Sequence, residues 1–270
     1  MRRTIIANSN CYHGYSVYDA LNGIAEAGFR NVELTCTRGW TEHIVPSMPF
    51  SELLRIKDAL FDLSLSVPAV SGHSNLMDPE RLSDFRDNIR LAAFFGASVI
   101  VSSVGEAHIA DKEKLGDKGV AENIKTLLPL LEDLGMMLVL ETHGEHGTAT
   151  RLRAITDMVA SERVKICYDT ANAIFYGDVN GTEDLENAID SIGYLHVKDK
   201  AGERTEWNFP ALGDGYVDFP SIFRVLDKHS NPSMLSVEIE FTKEGAKNIE
   251  EVNEAMKKSA RYLQSQGFEL

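Results

Sequence analysis

Eight short apolar segments alternate with longer stretches along the chain, and this alternation limits the folds that it can adopt. They are residues 4–8, 31–34, 65–70, 98–102, 137–141, 165–169, 194–198 and 234–238. Each segment is short, apolar and often β-branched, as is typical of strands that are buried on both faces of a parallel sheet. The pattern therefore predicts eight parallel strands.

Segments with helical periodicity lie between these predicted strands. Apolar residues recur at helical spacing over residues 17–29, 79–95, 120–134 and 246–264. Pro79 suits the first turn of its helix, and Gly96 and Gly135 suit helix ends. Eight strand–helix units without an intervening linker predict an α/β fold: a single (β/α)8 TIM barrel that occupies residues 1–270 as one domain, and not a doubly wound sheet.

The composition argues against several classes of function. The chain has a formal net charge of −14, so it lacks the basic surface that binding to nucleic acid or to an anionic membrane needs. It has no apolar stretch near the roughly 18 residues of a membrane span, and its first residues hold too short an apolar run for a signal peptide. Cys11, Cys36 and Cys167 are too few and too scattered for a disulfide framework or a cysteine-based zinc site. A reduced, cytoplasmic compartment is therefore expected.

Ionisable residues fall on the last four predicted strands. Strands five to eight deliver, in order, Glu141, Asp169, His196 and Glu238. In a barrel of this type the working groups lie at the carboxyl ends of the strands, and neighbouring strands are roughly 4.8 Å apart. Four consecutive strand ends can therefore surround one small ion. Three carboxylates and one imidazole favour Mn²⁺ or Mg²⁺, with Zn²⁺ or Co²⁺ as alternatives.

Each of these residues alone also has an ordinary structural explanation. Asp169, which precedes Thr170, is able to cap a turn or the next helix. His196, between Leu195 and Val197, fits a hydrogen-bonded imidazole in the core. Four successive strands that end in this way by chance are much less frequent, so the sequence favours a site for one divalent metal ion.

The period-2 alternation of strands extends the predicted site. His143 shares the face of Glu141 if the extended geometry continues, and Lys198 shares the face of His196. We therefore predict that His143 and Lys198 flank the metal as proton carriers or anion partners.

The loop after the second predicted strand, CTRGWTEHIVPSMPF, is long for a strand-to-helix connection and holds Trp40. A sugar ring is able to stack on this indole. Shielding of the site from solvent explains an aromatic residue here equally well. Trp40 is therefore a candidate substrate-binding residue with two open interpretations.

Five motifs carry a resemblance to a known family. LVLETHG, YDTANA, LHVKDK, LGDGYVDFP and LSVEIE, in this order and at these intervals, resemble the xylose-isomerase-like barrel superfamily. More narrowly they resemble its sugar phosphate isomerase/epimerase branch, which includes ketose 3-epimerases, hydroxypyruvate isomerases, inosose dehydratases and 3-dehydroshikimate dehydratases. The motifs cover the C-terminal half closely, and the N-terminal half matches through AGFRNVEL. The set is specific for the superfamily and weak for the reaction.

The resemblance implies roles for the residues at matching positions. It implies that one divalent metal is held by Glu141, Asp169, His196 and Glu238. Glu33 matches a frequent pocket residue, and His73 in SGHSN matches a frequent substrate contact. The alternatives are a buried ion-pair partner for Glu33 and an exposed loop histidine for His73.

The chain departs from the epimerase pattern at two positions. Those enzymes usually place a histidine three residues after the aspartate, where this chain has Asn172. They also tend to carry an arginine shortly after the metal-binding histidine, and here the first arginine is Arg204. The amide of Asn172 is able to hydrogen-bond a substrate hydroxyl group, but unlike a histidine it cannot act as a proton carrier. The positions of His143 and Lys198 relative to the ligands look more like the dehydratase members.

Together these residues predict an enzyme that acts on a small ketose or a related keto-compound. A metal-dependent isomerase or epimerase would abstract a proton through a metal-stabilised enediolate. Glu141 and Glu238 would be both ligands and proton carriers, and Glu240 shares the face of Glu238. His143 is the alternative base, and Lys198 would stabilise the oxyanion. The alternative is a metal-dependent dehydratase, a lyase of the inosose or 3-dehydroshikimate type.

Other classes fit less well. An abasic-site endonuclease of the same superfamily needs three metals and a basic surface that faces DNA, which the charge of −14 opposes. A non-catalytic sugar-binding barrel is a further alternative. We expect a small sugar or keto-acid as the partner, no nucleic acid and no membrane, and, by analogy with the resembling family, a homo-oligomer.

Overall fold

Eight parallel strands close into a barrel in the computed structural model, which describes residues 2–111 and 114–270. The strands of the structure are, in chain order, β1 (Ile5–Asn8), β2 (Asn31–Thr35), β3 (Ser66–Ser71), β4 (Val99–Ser102), β5 (Met137–Glu141), β6 (Val164–Asp169), β7 (Ile192–Lys198), β8 (Asn208–Phe209), β9 (Met234–Glu238) and β10 (Phe241–Thr242). Strands β1 to β7 and then β9 follow one another around the barrel, and β9 pairs with β1 to close it. The predicted (β/α)8 TIM barrel is therefore confirmed.

Helices follow the strands and cover the outside of the barrel. They are α1 (Val17–Glu26), α2 (Phe50–Asp62), α3 (Pro79–Phe95), α4 (Asp117–Lys125), α5 (Leu128–Asp133), α6 (Ala149–Val159), α7 (Thr170–Phe175), α8 (Glu183–Asn187), α9 (Phe219–Lys228) and α10 (Ile249–Ser265). The stretch 120–134, predicted as one helix, is divided between α4 and α5. The division precedes Pro129, which lies in the first turn of α5 and has no N–H to donate to a preceding turn. None of the helices in the described ranges combines the length and the apolar character needed to cross a membrane.

The alternation of side chains along the strands decides which residues point into the barrel. One buried cluster consists of strand residues alone: Ile6, Ala69, Val99, Val101, Val139, Cys167 and Tyr194. Their neighbours in the strands, such as Leu140 and Leu195, pack with the helices in a second and larger cluster. Because side chains alternate, the residues two positions beyond the last three cluster members, Glu141, Asp169 and His196, share the inward face. The strands are thus buried on both faces, as the apolar runs predict.

One buried carboxylate fixes the long loop between β7 and α9. Asp199, directly after β7, is 1% exposed. It accepts hydrogen bonds from the backbone N–H groups of Gly213, Gly215 and Val217 at 2.8, 2.9 and 3.2 Å. A Cβ atom at position 215 would lie 2.3 Å from Asp199 Oδ1, so this close approach requires glycine. Asp199 thereby holds the loop that carries Trp207 against the barrel.

Replacing Asp199 by alanine leaves these three N–H groups without their acceptor. We expect Asp199→Ala to lower the free energy of unfolding by about 2 kcal/mol or more, since three hydrogen bonds that contribute about 0.5–1.5 kcal/mol each are lost. Urea denaturation measures this loss. The matched control is Asp214→Ala in the same loop, whose side chain is 42% exposed and pairs with Lys258. We expect it to cost less than about 1 kcal/mol, and equal losses in the two variants would contradict the anchoring role.

Candidate active site

Four side chains from consecutive barrel strands converge at the carboxyl end of the barrel. Glu141 ends β5, Asp169 ends β6 and Glu238 ends β9. His196 lies on β7 in register with Asp169, and Lys198 at the end of β7 is in register with Glu238. The ligand atoms of the two glutamates, the aspartate and the histidine all lie within 4.8 Å of one another, and all four residues are buried. They form a candidate metal-binding group.

The imidazole of His196 lies at the centre of this group. Its Nδ1 atom is 2.5 Å from Glu141 Oε1 and 3.2 Å from Glu238 Oε2. Its Nε2 atom faces the other way and lies 3.1 Å from Glu33 Oε1. A carboxylate that accepts a hydrogen bond from Nε2–H keeps the ring proton on Nε2. The lone pair of Nδ1 is then available to a metal ion.

Glu33 is therefore a buried partner of His196. Its carboxylate is fully buried and also accepts a hydrogen bond of 2.8 Å from the Tyr194 hydroxyl. Among the described residues it lies one layer below the cavity and does not line it. These contacts fit the ion-pair alternative for Glu33, because β2 ends two residues beyond Glu33 and places this side chain below the mouth of the barrel. A contact of Glu33 with a substrate stays a prediction.

Two buried carboxylate oxygens lack the partners that a protein interior normally provides. Asp169 Oδ1 accepts the backbone N–H groups of Ala171 and Asn172. Asp169 Oδ2 and Glu238 Oε2 accept no hydrogen bond from any described residue. Burial raises the pKa of Asp169 well above its usual value, and the charges of Glu141 and Glu238 add to this shift against an opposing lysine. A divalent cation would offset both the missing partners and the accumulated negative charge, so these residues fit a metal site.

Lys198 is a cation within the same cluster. Its Nζ atom pairs with Glu240 and lies 3.7 Å from Asp169 Oδ2 and 3.8 Å from Glu238 Oε2. Burial opposes its charge, but the carboxylates of Glu238 and Glu240 outweigh burial and raise its pKa well above the usual value. The ring centroid of Phe209 lies 4.5 Å from the ammonium group. Lys198 stays protonated, which suits the stabilisation of an oxyanion and not the removal of a proton.

A narrow cavity adjoins these side chains, and we call it the reaction cavity. Residues proposed from the sequence line it: Trp40, His73, Glu141, His143, Asn172, Lys198 and Glu238. Residues that the sequence analysis did not propose as site residues line it as well: Asn10, His108, Trp207 and Glu240. The structure thus brings the proposed substrate contacts next to the metal-binding group.

His73 is a buried side chain that faces Glu141. It is 6% exposed, which excludes the alternative of an exposed loop histidine. The backbone N–H of Ser103 donates to His73 Nδ1 at 3.0 Å, so the ring proton is assigned to Nε2, 3.8 Å from Glu141 Oε2. Burial opposes the charge of Glu141, but the imidazoles of His73 and His196 outweigh it and lower the pKa of Glu141 to about 2.

His143 stands directly before a tight turn that follows β5. Its backbone pairs with that of His146, and Gly144 in the turn has a φ of +54°. The side chain lines the reaction cavity together with Glu141. Its Nε2 atom lies 3.4 Å from the Tyr176 hydroxyl. Burial lowers the pKa of His143 to about 4, so the imidazole is neutral near pH 7 and able to accept a proton.

Three aromatic rings from different loops stack at the edge of the reaction cavity. Trp40 lies between His13 and His108, with ring centroids 3.8 and 4.0 Å away and interplanar angles of 10° and 11°. The three residues follow β1, β2 and β4, so the stack joins three separate connections. Partial burial lowers the pKa of both histidines, that of His108 to about 3. Neutral imidazoles are thus held against the indole.

Asn10 and His108 line the reaction cavity although nothing in the sequence singled them out, whereas Glu240 was already expected on the face of Glu238. Asn10 donates to Glu238 Oε1 at 2.8 Å and to Glu240 Oε1 at 3.2 Å. Asn10 and Glu240 each stand two residues after a strand end, so the rule that identified the other candidates also applies to them. His108 and Trp207 lie deep in long loops, where no periodicity indicates the direction of a side chain.

Replacing Asp169 by asparagine separates metal binding from helix capping. Asparagine keeps the oxygen that caps α7 and removes a charge that burial disfavours, so we expect the metal-free variant to unfold at the same or a higher temperature. Mn²⁺ at about 100 times its Kd stabilises a binding protein by about 2.7 kcal/mol, and we expect this gain in the wild type and its loss in Asp169→Asn. Thermal unfolding with EDTA and with Mn²⁺ measures both effects. Asp78→Asn, at the N-terminal cap of α3, is the matched control and should keep the Mn²⁺ response; an unchanged response in Asp169→Asn would exclude the site.

The stacked histidine His108 predicts how stability depends on pH. Its folded-state pKa of about 3 lies below the roughly 6.5 of an unfolded histidine. The contribution of its neutral form is therefore complete above about pH 6.5 and is lost as the pH falls towards 3. His108→Phe keeps an aromatic ring on Trp40 without a titrating group, so the slope of unfolding free energy against pH should be smaller by up to one proton. Urea denaturation between about pH 7 and 4 tests this, and equal slopes would contradict it.

Solved structures of two sugar epimerases and of a magnesium-bound barrel protein share the fold. A D-allulose 3-epimerase from Methylomonas sp. superposes with a TM-score of 0.76 at 18% identity, over 98% of this chain and 98% of that chain. An L-ribulose 3-epimerase gives a TM-score of 0.75 at 20% identity, over 99% of this chain and 94% of that one. A xylose isomerase-like TIM barrel protein from Mycobacterium smegmatis in complex with magnesium gives 0.75 at 17% identity over 97% of each chain. At these identities the likeness shows the fold alone.

Curated relatives match over part of their length. An inosose dehydratase of Clostridium perfringens is 27% identical over 142 residues, which are 46% of this chain and 47% of the relative. An inosose dehydratase of Klebsiella pneumoniae is 27% identical over 191 residues, 59% of this chain and 63% of the relative. The chain thus spans less than two thirds of the length of these relatives.

A family description matches nearly the whole barrel. The family model named xylose isomerase-like TIM barrel covers residues 21–266, from within α1 to the end of α10. This range contains all four members of the candidate metal-binding group. The chain therefore belongs to the xylose isomerase-like TIM barrel family.

Proposed function

We propose that the protein is a divalent-metal-dependent isomerase or epimerase of a small ketose or a related keto-compound. The observation that carries the proposal is the convergence of Glu141 and Glu238 on His196 Nδ1, at 2.5 and 3.2 Å. The two glutamates come from β5 and β9, which are three positions apart around the barrel, and both line the same cavity. This arrangement suits removal of a proton from a carbon next to a carbonyl and its return to a neighbouring carbon or to the opposite face.

The proposed cofactor is one divalent metal ion. Its ligands would be Glu141, Asp169, His196 and Glu238. Three carboxylates and one imidazole favour Mn²⁺ or Mg²⁺, with Zn²⁺ or Co²⁺ as alternatives. When bound, the ion supplies Lewis-acid stabilisation of developing negative charge and a template for adjacent substrate oxygens. Glu33 orients His196 for this role.

Glu141 and Glu238 are the proposed proton carriers. Burial opposes the charge of Glu238, but Lys198 and His196 outweigh it and lower its pKa well below the usual value, so the carboxylate is ready to accept a proton. Proton removal leaves an enediolate, and the protonated Lys198 beside Glu238 stabilises its negative charge. His143, neutral beside Glu141, is the alternative base.

The remaining candidates hold and enclose the substrate. His73 and Asn172 would contact its hydroxyl groups, and Trp40 would cover it and exclude water. The partner would be a small sugar or keto-acid. We further propose that residues 1–270 act as one domain, in the cytoplasm and as a homo-oligomer, by analogy with the resembling family.

A dehydratase of the inosose or 3-dehydroshikimate type is the second candidate. The curated relatives at 27% identity are named inosose dehydratases, and Asn172 stands where the epimerase pattern has a histidine. In this reaction the same proton abstraction is followed by protonation and loss of a hydroxyl group. As the alternative base, His143 would take up the abstracted proton and then deliver it to the leaving hydroxyl group.

Replacing Glu238 by glutamine removes the proposed proton carrier and keeps the shape of the side chain. With Mn²⁺ and a panel of ketoses, inososes and keto-acids in D₂O, we expect the wild type to exchange the hydrogen next to the carbonyl. The variant should react at least about 100-fold more slowly, the usual contribution of a general base. NMR measures the exchange, calorimetry of Mn²⁺ binding separates loss of metal from loss of proton transfer, and Glu250→Gln on the exposed side of α10 is the matched control.

The products separate the two candidate reactions. Deuterium in a ketose of altered structure or configuration supports the isomerase or epimerase, whereas an ultraviolet-absorbing enone supports the lyase. Wild-type exchange in Glu238→Gln would overturn the role of this residue. A wild-type protein that binds no Mn²⁺ would instead support a non-catalytic sugar-binding barrel.

A further inference from the structure

A second cavity adjoins the reaction cavity. It is the larger of the two spaces. The residues common to both linings are Asn10, Trp40, Trp207 and Glu240. These side chains lie between the two spaces, so the two spaces are immediate neighbours. We call the second space the outer groove; its further lining includes Ile239, Phe241, Ala246 and Val252.

The walls of the outer groove combine apolar surface with polar edges. Ile239 and Val252 are buried beneath it, whereas Trp207 and Phe241 are partly exposed within it. Asn10 and Glu240 lie at the inner end. The lining also contains the polar side chains of His13, Thr242, Lys243 and Glu244. Apolar and aromatic walls with polar groups between them suit a ligand with apolar faces and polar edges. A sugar ring has C–H groups on its faces and hydroxyl groups around its edge, and therefore matches this lining.

The backbone keeps the outer groove in shape. The two-stranded sheet of β8 and β10 pairs Phe241 with Phe209, and the Glu240 backbone N–H donates to Phe209 O at 3.2 Å. Trp207 directly precedes β8, so its indole and the Phe241 ring are carried by paired strands. A preformed groove next to the reaction cavity binds a ligand with little loss of conformational entropy.

One hydrogen-bond donor between the two spaces has no acceptor. Trp40 Nε1 is buried, and no described residue accepts its proton. Buried indole N–H groups normally find an acceptor. An oxygen atom that links a group in the reaction cavity to a group in the outer groove would pass this donor.

We propose that the substrate is a glycosylated ketose or keto-sugar, whose reacting unit occupies the reaction cavity and whose second sugar ring occupies the outer groove. This inference rests on the proposed function and names its substrate class. The oxygen that links the two units accepts a hydrogen bond from Trp40 Nε1–H, and the second sugar ring packs on the indole of Trp207. The metal-binding group acts on the reacting unit alone.

The test compares ketoses that share one reacting unit. Calorimetry with the Mn²⁺-loaded protein measures Kd for D-fructose and for the fructose-containing disaccharides lactulose, turanose and palatinose. We expect at least one disaccharide to bind about tenfold or more tightly than D-fructose, a gain of about 1.4 kcal/mol. Ala246→Phe fills the outer groove from its wall, so this preference should fall to within about twofold while the Kd for D-fructose is unchanged. Lys247→Phe adds the same ring at the exposed neighbouring position and should keep the preference.

Each outcome decides a separate question. Three disaccharides that bind no more tightly than D-fructose overturn the proposed substrate class. A preference that survives Ala246→Phe overturns the assignment to the outer groove. If the protein exchanges hydrogen on simple ketoses but does not bind disaccharides more tightly, the proposed function stands and the proposed substrate class is wrong. If disaccharides bind more tightly but no Mn²⁺-dependent hydrogen exchange occurs, sugar binding in the outer groove is supported and the proposed enzymatic function is rejected.

Discussion

The position of His196 between Glu141 on one side and Glu33 on the other is the contact on which the site depends. Burial of several carboxylates in one barrel end costs free energy unless cations face them. Lys198 and the imidazole offset part of this cost, but Asp169 Oδ2 and Glu238 Oε2 remain without a hydrogen bond from any described residue. The charge that destabilises the barrel without an ion is therefore the same charge that would bind one.

The barrel and its loops contribute different parts of the site. Strands in register place the metal-binding group within a few ångströms, and that geometry follows from backbone hydrogen bonds shared by the whole sheet. The loops set the size and shape of the space above it. Asp199 anchors one of them, and the stack of His13, Trp40 and His108 ties three others together. Specificity is thus carried by contacts that can change without disturbing the metal-binding group.

Isomerisation, epimerisation and dehydration share their first proton transfer and differ in the destination of the second proton. The residues that would decide this destination surround the shared carboxylates: the His143–Tyr176 pair, Lys198 with Glu240, and the amide of Asn172. Family membership does not distinguish these outcomes, because the fold supports all of them. The reaction is therefore a property of the residues around the metal-binding group and not of the barrel.

The eight barrel strands and the inward position of Glu141, Asp169, His196 and Glu238 are predictable from the amino-acid sequence, because strand periodicity is local and parallel strand ends meet at one edge. The other features of the site depend on contacts between segments that are distant in sequence. Glu33 became the partner of His196 through a contact across the barrel, 163 residues apart in sequence. The positions of the loops that carry His108 and Trp207 follow from long-range hydrogen bonds and ring stacking, such as those of Asp199 and Trp40. No local pattern encodes such contacts, because each depends on where the distant partner has folded.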